Sequence, residues 1–120
     1  MAYQSFEDLK VWKRSTRLSV ELTNYLADCN DYAFKNQLIR AALSIPSNIV
    51  EGAERQTDKE FRYFLNVAKG SAAELRTQLY IGMETEIVES ELSSRMIKEL
   101  KELSSMLQGL INSMDRKLNT

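Results

Sequence analysis

The stretch RAALSIPSNIVEG, residues 40–52, is where the sequence concentrates polar groups beside an apolar face. On a helical wheel at about 100° per residue, Leu38, Ala42, Ile45 and Ile49 cluster at the centre. Gln37, Ser44, Asn48 and Glu51 line one flank of that cluster, and Ser71 and Glu74 line a matching flank further along the chain. If these two segments form a hairpin, Glu51 and Glu74 become candidates for an acid–base or metal-binding pair. The same six polar residues also suit a layer that fixes the register of two helices. The chain contains no histidine. That removes the commonest general base, the commonest metal ligand and every Ser-His or Cys-His nucleophile pair. Two carboxylates alone are a poor transition-metal set, and a hard cation asks for about six oxygens. The expectation is therefore a structural polar layer, with no catalytic residue, no metal, no cofactor and no small-molecule substrate.

Basic residues form two further candidate sites. Lys10, Lys13, Arg14 and Arg17 follow one another at steps of three, one and three, which places four positive charges on one helix face. Arg62, Lys69 and Arg76 recur every seven residues along the edge of a later helix. Either set suits phosphate contacts. Both also suit a solvated face, partly neutralised by the (i, i+4) pairs Arg17–Glu21 and Asp58–Arg62.

These residues need helices to position them. Apolar residues recur at steps of three and four in four segments, which predicts helices over about 6–27, 32–54, 58–84 and 90–117. Ser5 is the expected N-cap of the first. Its stripe is Leu9, Trp12, Thr16, Ser19, Thr23 and Leu26, with a second apolar line beside it. Thr57 and Glu60 match the capping box that opens the third. Four long helices with short connections predict an all-α, antiparallel up-and-down four-helix bundle, one domain spanning residues 1–120. Pro46 falls inside the second helix, toward a shoulder of its apolar face. It should free the carbonyl of residue 42 and kink the helix, with Ser44 and Ser47 available to bond the freed groups.

Composition narrows the function further. Sixteen basic and 17 acidic residues leave a net charge of −1. The halves are balanced, with eight basic and nine acidic residues up to position 60 and eight of each after it. Whole-chain electrostatics give no basic footprint, so nucleic-acid binding would rest on a local patch. The lone cysteine, Cys29, has no intrachain partner and fits a reducing cytoplasm. The first ten residues lack the apolar core of a secretory signal, and no apolar run is long enough to span a membrane.

Three segments carry a family resemblance. QLIRAALSIPSNIVEG (37–52) and KEFRYFLNVAKGSAAEL (59–75) resemble the signature segments of the four-helix-bundle proteins of the 23S ribosomal-RNA intervening-sequence family, and FEDLKVW (6–12) resembles that family's start. The resemblance implies a bundle that assembles into a homopentameric ring. It implies that Asn48, Glu51, Gly70, Ser71 and Glu74 are family positions, and it implies no known enzymatic activity. Members are encoded in insertions within large-subunit rRNA genes and elsewhere on the chromosome. A relative in diversity-generating retroelements binds nucleic acid and a reverse transcriptase through a basic surface. This chain departs from that basic character, being slightly acidic overall.

Apolar residues beyond the stripes point to self-association. Val11, Leu18 and Tyr25 on the first helix, Ile39, Leu43 and Val50 on the second, and Tyr63 and Ile81 on the third exceed what one seam needs. Two functions follow as expectations. One is a non-enzymatic homo-oligomer that binds structured RNA or a ribonucleoprotein through its basic patches. The alternative is a protein–protein assembly or scaffold module with no nucleic-acid role.

Overall fold

The computed structural model describes residues 5–119. A 3₁₀ turn, Phe6–Asp8, leads into α1 (Lys10–Tyr25), α2 (Tyr32–Ala53), α3 (Asp58–Glu84) and α4 (Ser90–Leu118). No strand occurs among the described residues. Cross-helix bonds pair residues in opposing order along α2–α3, α3–α4 and α1–α4. The four helices therefore run up, down, up and down, and α4 closes the ring against α1.

Short polar residues cap the 3₁₀ turn, α2 and α3. Ser5 accepts from the Glu7 N–H at 3.2 Å, as expected of its cap position, but it caps only the 3₁₀ turn. Leu9 is extended, so α1 begins at Lys10, and it gives way to turns after Tyr25. Asp31 caps α2 by accepting from the Phe34 N–H at 3.1 Å. Thr57 caps α3 by accepting from the Glu60 N–H at 3.2 Å. The other half of the capping box differs from expectation: the Glu60 carboxylate accepts from the Thr57 hydroxyl, at 2.9 Å, and not from its backbone. The turn into α4 folds back on α3. Ile87 and Val88 both donate to the Gly82 carbonyl, and Glu86 takes a left-handed backbone with φ of 61°. A side chain at Gly82 would lie 2.9 Å from Val88, so glycine is needed where the turn closes.

The core holds Leu38, Ile45, Ile49, Leu65, Leu75, Leu79, Leu100, Leu103 and Leu107, all fully buried. Alanines and glycine bring α2 and α3 close. A Cβ at Gly52 would lie 2.8 Å from the Phe64 Cβ. The face that α1 turns inward is rotated from the expected stripe. Val11, Ser15, Leu18, Ser19, Leu22 and Leu26 are buried, while Thr23 is exposed and Trp12 packs at the side. The rotation works because the two buried serines satisfy themselves. Ser15 donates to the Val11 carbonyl at 2.6 Å, and the Ser19 hydroxyl, with one proton to give, lies within reach of two carbonyls, Ser15 at 2.9 Å and Ala42 at 3.0 Å.

Pro46 explains why Ser19 is inside. Proline has no N–H, so the Ala42 carbonyl four residues back loses its helical partner. Ser19 reaches across from α1 and lies 3.0 Å from that carbonyl, within hydrogen-bond distance. α2 stays helical through Pro46, which is itself buried. The expected rescue by Ser44 and Ser47 is not what happens. Ser44 is engaged with α3, and Ser47 is exposed. Leaving a buried carbonyl unpaired costs about 1–3 kcal/mol, so this one hydroxyl ties α1 to α2 where the helix is weakest.

Candidate functional site

The expected polar layer forms between α2 and α3. The Ser44 and Ser71 hydroxyls lie 2.7 Å apart. Asn48 donates to the Ser44 carbonyl at 2.8 Å and to its hydroxyl at 3.0 Å. Gln78 donates to Gln37 at 3.4 Å and to Glu74 at 3.5 Å. The carboxylates do not converge. With Ser44 opposite Ser71 and Gln37 opposite Gln78, Glu51 lies level with Phe64 and Glu74 level with Ala41. That separates them by ten residues, about 15 Å at 1.5 Å per residue. Glu51 is exposed and bonded to Arg55. Among the described residues no group of three or more His, Cys, Asp or Glu could hold a metal ion. The layer's bonds join α2 to α3 at Ser44–Ser71 and Gln37–Gln78.

In the first basic set Arg14 is answered from within the chain. Arg14 forms an ion pair with Glu99, a second with Glu102 at 2.8 Å, and a contact with the Met106 sulfur at 3.3 Å. Its hydrogen bond holds the Glu102 carboxyl below the usual carboxylate range. Glu21 pairs with Arg95 on α4, not with Arg17 as its spacing suggested, and that bond raises the Arg95 pKa. Arg17 lines a cleft it shares with both Glu21 and Glu99. Lys10 borders an apolar groove with Leu9, Met106 and Leu110. Lys13 is exposed. The seam between α1 and α4 is thus a chain of opposite charges.

The second basic set behaves differently. Four positions of α3, seven residues apart, face four positions of α4. Arg62 pairs with Asp115 at 2.9 Å. Lys69 donates to Gln108 at 2.5 Å. Ser94 approaches the Met83 sulfur at 3.9 Å. The same register sets Arg76 level with Lys101, both lining one groove, and no ion pair joins either to a described residue. The groove measures about 620 Å³. Asn66, Ser104, Ser105 and Gln108 supply its hydrogen-bonding groups, and Gly70 and Ala73 leave it open. No carboxylate lines it. None of Lys69, Arg76 and Lys101 has an acid three or four residues away on its own helix. Here three cations meet neutral groups only. Arg62, by contrast, is committed to Asp115, and Asp58 faces Lys117 at 4.0 Å rather than Arg62.

Lys101 was not among the residues that the sequence singled out. Its signal was present: Lys101, Gln108 and Asp115 repeat the seven-residue spacing of Arg62, Lys69 and Arg76 in antiparallel order.

The apolar shoulder divides. Val11 and Leu18, 2% and 4% exposed, belong to the chain's own core and not to an outer surface, because α1 turns that face inward. Ile39 packs against the core and Val50 is half-buried. Tyr25 is partly exposed, and its hydroxyl accepts from the Glu89 N–H at 2.9 Å, tying the end of α1 to the start of α4. Leu43, Tyr63 and Ile81 are outward, with Tyr63 62% exposed. Val20 and Tyr80 join them on the surface.

Comparison with known proteins places this architecture. The family model described as 23S rRNA-intervening sequence protein matches residues 7–109. A crystal structure from Bacteroides thetaiotaomicron, a protein with unknown function from the S23 ribosomal protein family, superposes with a TM-score of 0.79 at 24% identity, covering 84% of this chain and 97% of that one. At that identity the likeness speaks for the fold. Among curated proteins, none matches this chain. Among the described residues no helix is long and apolar enough to cross a membrane.

Proposed function

This chain belongs to the 23S rRNA-intervening sequence protein family, and we propose that it serves there as a non-enzymatic, cytoplasmic protein that binds structured RNA, free or in a ribonucleoprotein. The observation that carries this reading is the groove between α3 and α4, where Lys69, Arg76 and Lys101 line an opening without a single carboxylate. Phosphate backbones are held by such cations together with neutral hydroxyl and amide donors. A net charge of −1 does not oppose this, because a local patch screened from distant acids sets the potential at the contact. The contact surface is therefore narrower than the two basic sets taken together. It keeps Lys69 and Arg76, adds Lys101, and leaves Arg14 and Arg62 to structural pairs.

The protein acts as a homo-oligomer in this reading. Leu43, Tyr63, Ile81, Val20 and Tyr80 are large apolar side chains left outside the bundle, and such surfaces mark contact sites. A ring, pentameric as the family resemblance implies, would repeat the groove around its axis and multiply a modest affinity. The same exposed residues favour the second reading, a protein–protein assembly module without a nucleic-acid role.

Fluorescence anisotropy across a salt series separates the two. The ligands are a structured large-subunit rRNA fragment and an unrelated hairpin, with oligomeric mass measured on the same sample. Binding that weakens steeply with salt is the expected result, and preference for the rRNA fragment would make it specific. A well-formed oligomer that binds neither RNA at low salt would overturn the RNA reading in favour of assembly.

A further inference from the structure

The rung formed by Arg76 and Lys101 is the exception in an otherwise complementary ladder. Above and below it, the seven-residue register joins Arg62 to Asp115, Lys69 to Gln108 and Ser94 to Met83. At this rung it sets two cations level across the groove. Two like charges held on facing helices repel, and the exposed position of the seam offers many neutral residues that would avoid it. The arrangement becomes favourable when an anion sits between them.

We infer that the Arg76–Lys101 rung is an oxyanion clamp for a terminal phosphate, a phosphomonoester such as the phosphorylated end of an RNA strand. The inference rests on the RNA reading of this groove and adds which part of the ligand the rung holds. Charge makes the choice. A phosphomonoester carries about −1.5 to −2 at neutral pH, whereas each backbone phosphodiester carries one negative charge. Two cations without a carboxylate in the lining match the first. Geometry agrees with it. The arginine fork takes two oxygens of one phosphate, the lysine takes the third, and Ser104 and Ser105, about one turn beyond Lys101 and lining the same groove, supply hydroxyl donors. Gly70 leaves the approach clear: nothing lies within 4 Å of where its Cβ would be.

Two measurements on the full chain test this, using Arg76→Gln and Lys101→Gln, with Lys59→Gln as a charge-matched control outside the groove. In the first, thermal unfolding is followed with inorganic phosphate against chloride at equal ionic strength. Wild type and the control should gain a saturable Tm increase of about 5 °C, and the two clamp variants should not. In the second, one RNA sequence is compared with a 5′-phosphate and with a 5′-hydroxyl. The phosphorylated strand should bind about tenfold tighter or more, and the preference should vanish in both clamp variants. Equal affinity for the two ends, or a Tm that ignores phosphate in the wild type, would overturn the clamp even if RNA binds. A saturable phosphate response without RNA binding would keep the clamp and refute the RNA reading.

Discussion

α4 meets its neighbours along two seams that treat charge in opposite ways. Toward α1 it presents Arg95, Glu99 and Glu102, which are matched by Glu21 and Arg14. Toward α3 it presents Asp115 and Gln108, which are matched, and then Lys101, which meets Arg76. In the sequence the two basic sets look alike, and the denser one belongs to α1. Yet Arg14 of the denser set is tied up by acids arriving from a helix more than eighty residues away, while Lys10, Lys13 and Arg17 are exposed. In the sparser one Arg62 is paired with Asp115, but Lys69 and Arg76 line a groove that no carboxylate enters. Spacing puts charges on a face; the helix packed against that face decides whether they are free for a ligand.

The sharpest way to break this contrast is to reverse it. Glu99→Lys sets a third cation beside Arg14 and Arg95 in a half-buried seam and should destabilise the fold by about 2 kcal/mol. Lys101→Glu turns the odd rung into a complementary pair and should leave stability unchanged or raised by up to about 1 kcal/mol. Denaturant unfolding of both variants checks the pair. Equal losses would mean that the two seams are not different in kind.

Next in size is the anchoring of α1. Ser19→Ala leaves the buried Ala42 carbonyl without its donor, so it should cost about 1–3 kcal/mol by the same unfolding measurement. If it costs nothing, the ionic seam with α4 is what holds α1 in place.

The bundle itself was legible because its signals are local. Leu38, Ala42, Ile45 and Ile49 sit where their periodicity put them, and Ser5 and Thr57 cap by chemistry confined to a few residues. The failures involve partners distant in the chain. The inward face of α1 was misplaced because Ser15 reads as polar, and only the Ala42 carbonyl, freed by Pro46 on α2, shows why Ser19 is wanted inside. Val11 and Leu18 were taken for an outer shoulder for the same reason. Glu51 and Glu74 share flanks but not a level, which depends on helix register and not on wheel angle. Arg14 and Arg62 lost their freedom to Glu99, Glu102 and Asp115, none of which is near them in sequence.

Gly70→Ala sharpens the contrast from the groove side. Glycine inside a helix costs roughly 0.5–1 kcal/mol relative to alanine, and Gly70 has no neighbour within 4 Å to require it. Alanine there should raise stability by about that amount while weakening RNA or phosphate binding. Gained stability with unchanged binding would mean that ligand does not approach that close.

The smallest effect concerns acid. Arg14 lowers the Glu102 carboxyl, so its stabilisation is present above the unfolded value of about 4.3 and fades as pH falls through the lower folded value. The stability gap between wild type and Arg14→Gln should therefore narrow only below about pH 4.3. A gap that is constant down to about pH 3 would show that Arg14 acts by packing alone.

The most direct test of the whole contrast is RNA affinity across a salt series for two variants, Arg76→Gln combined with Lys101→Gln, and Arg14→Gln. If the α3–α4 groove is the contact surface, the double variant should flatten the slope of log K against log salt by about 2, and Arg14→Gln should leave it unchanged. The reverse pattern, with slope lost at Arg14 and kept in the double variant, would contradict it and return the site to α1.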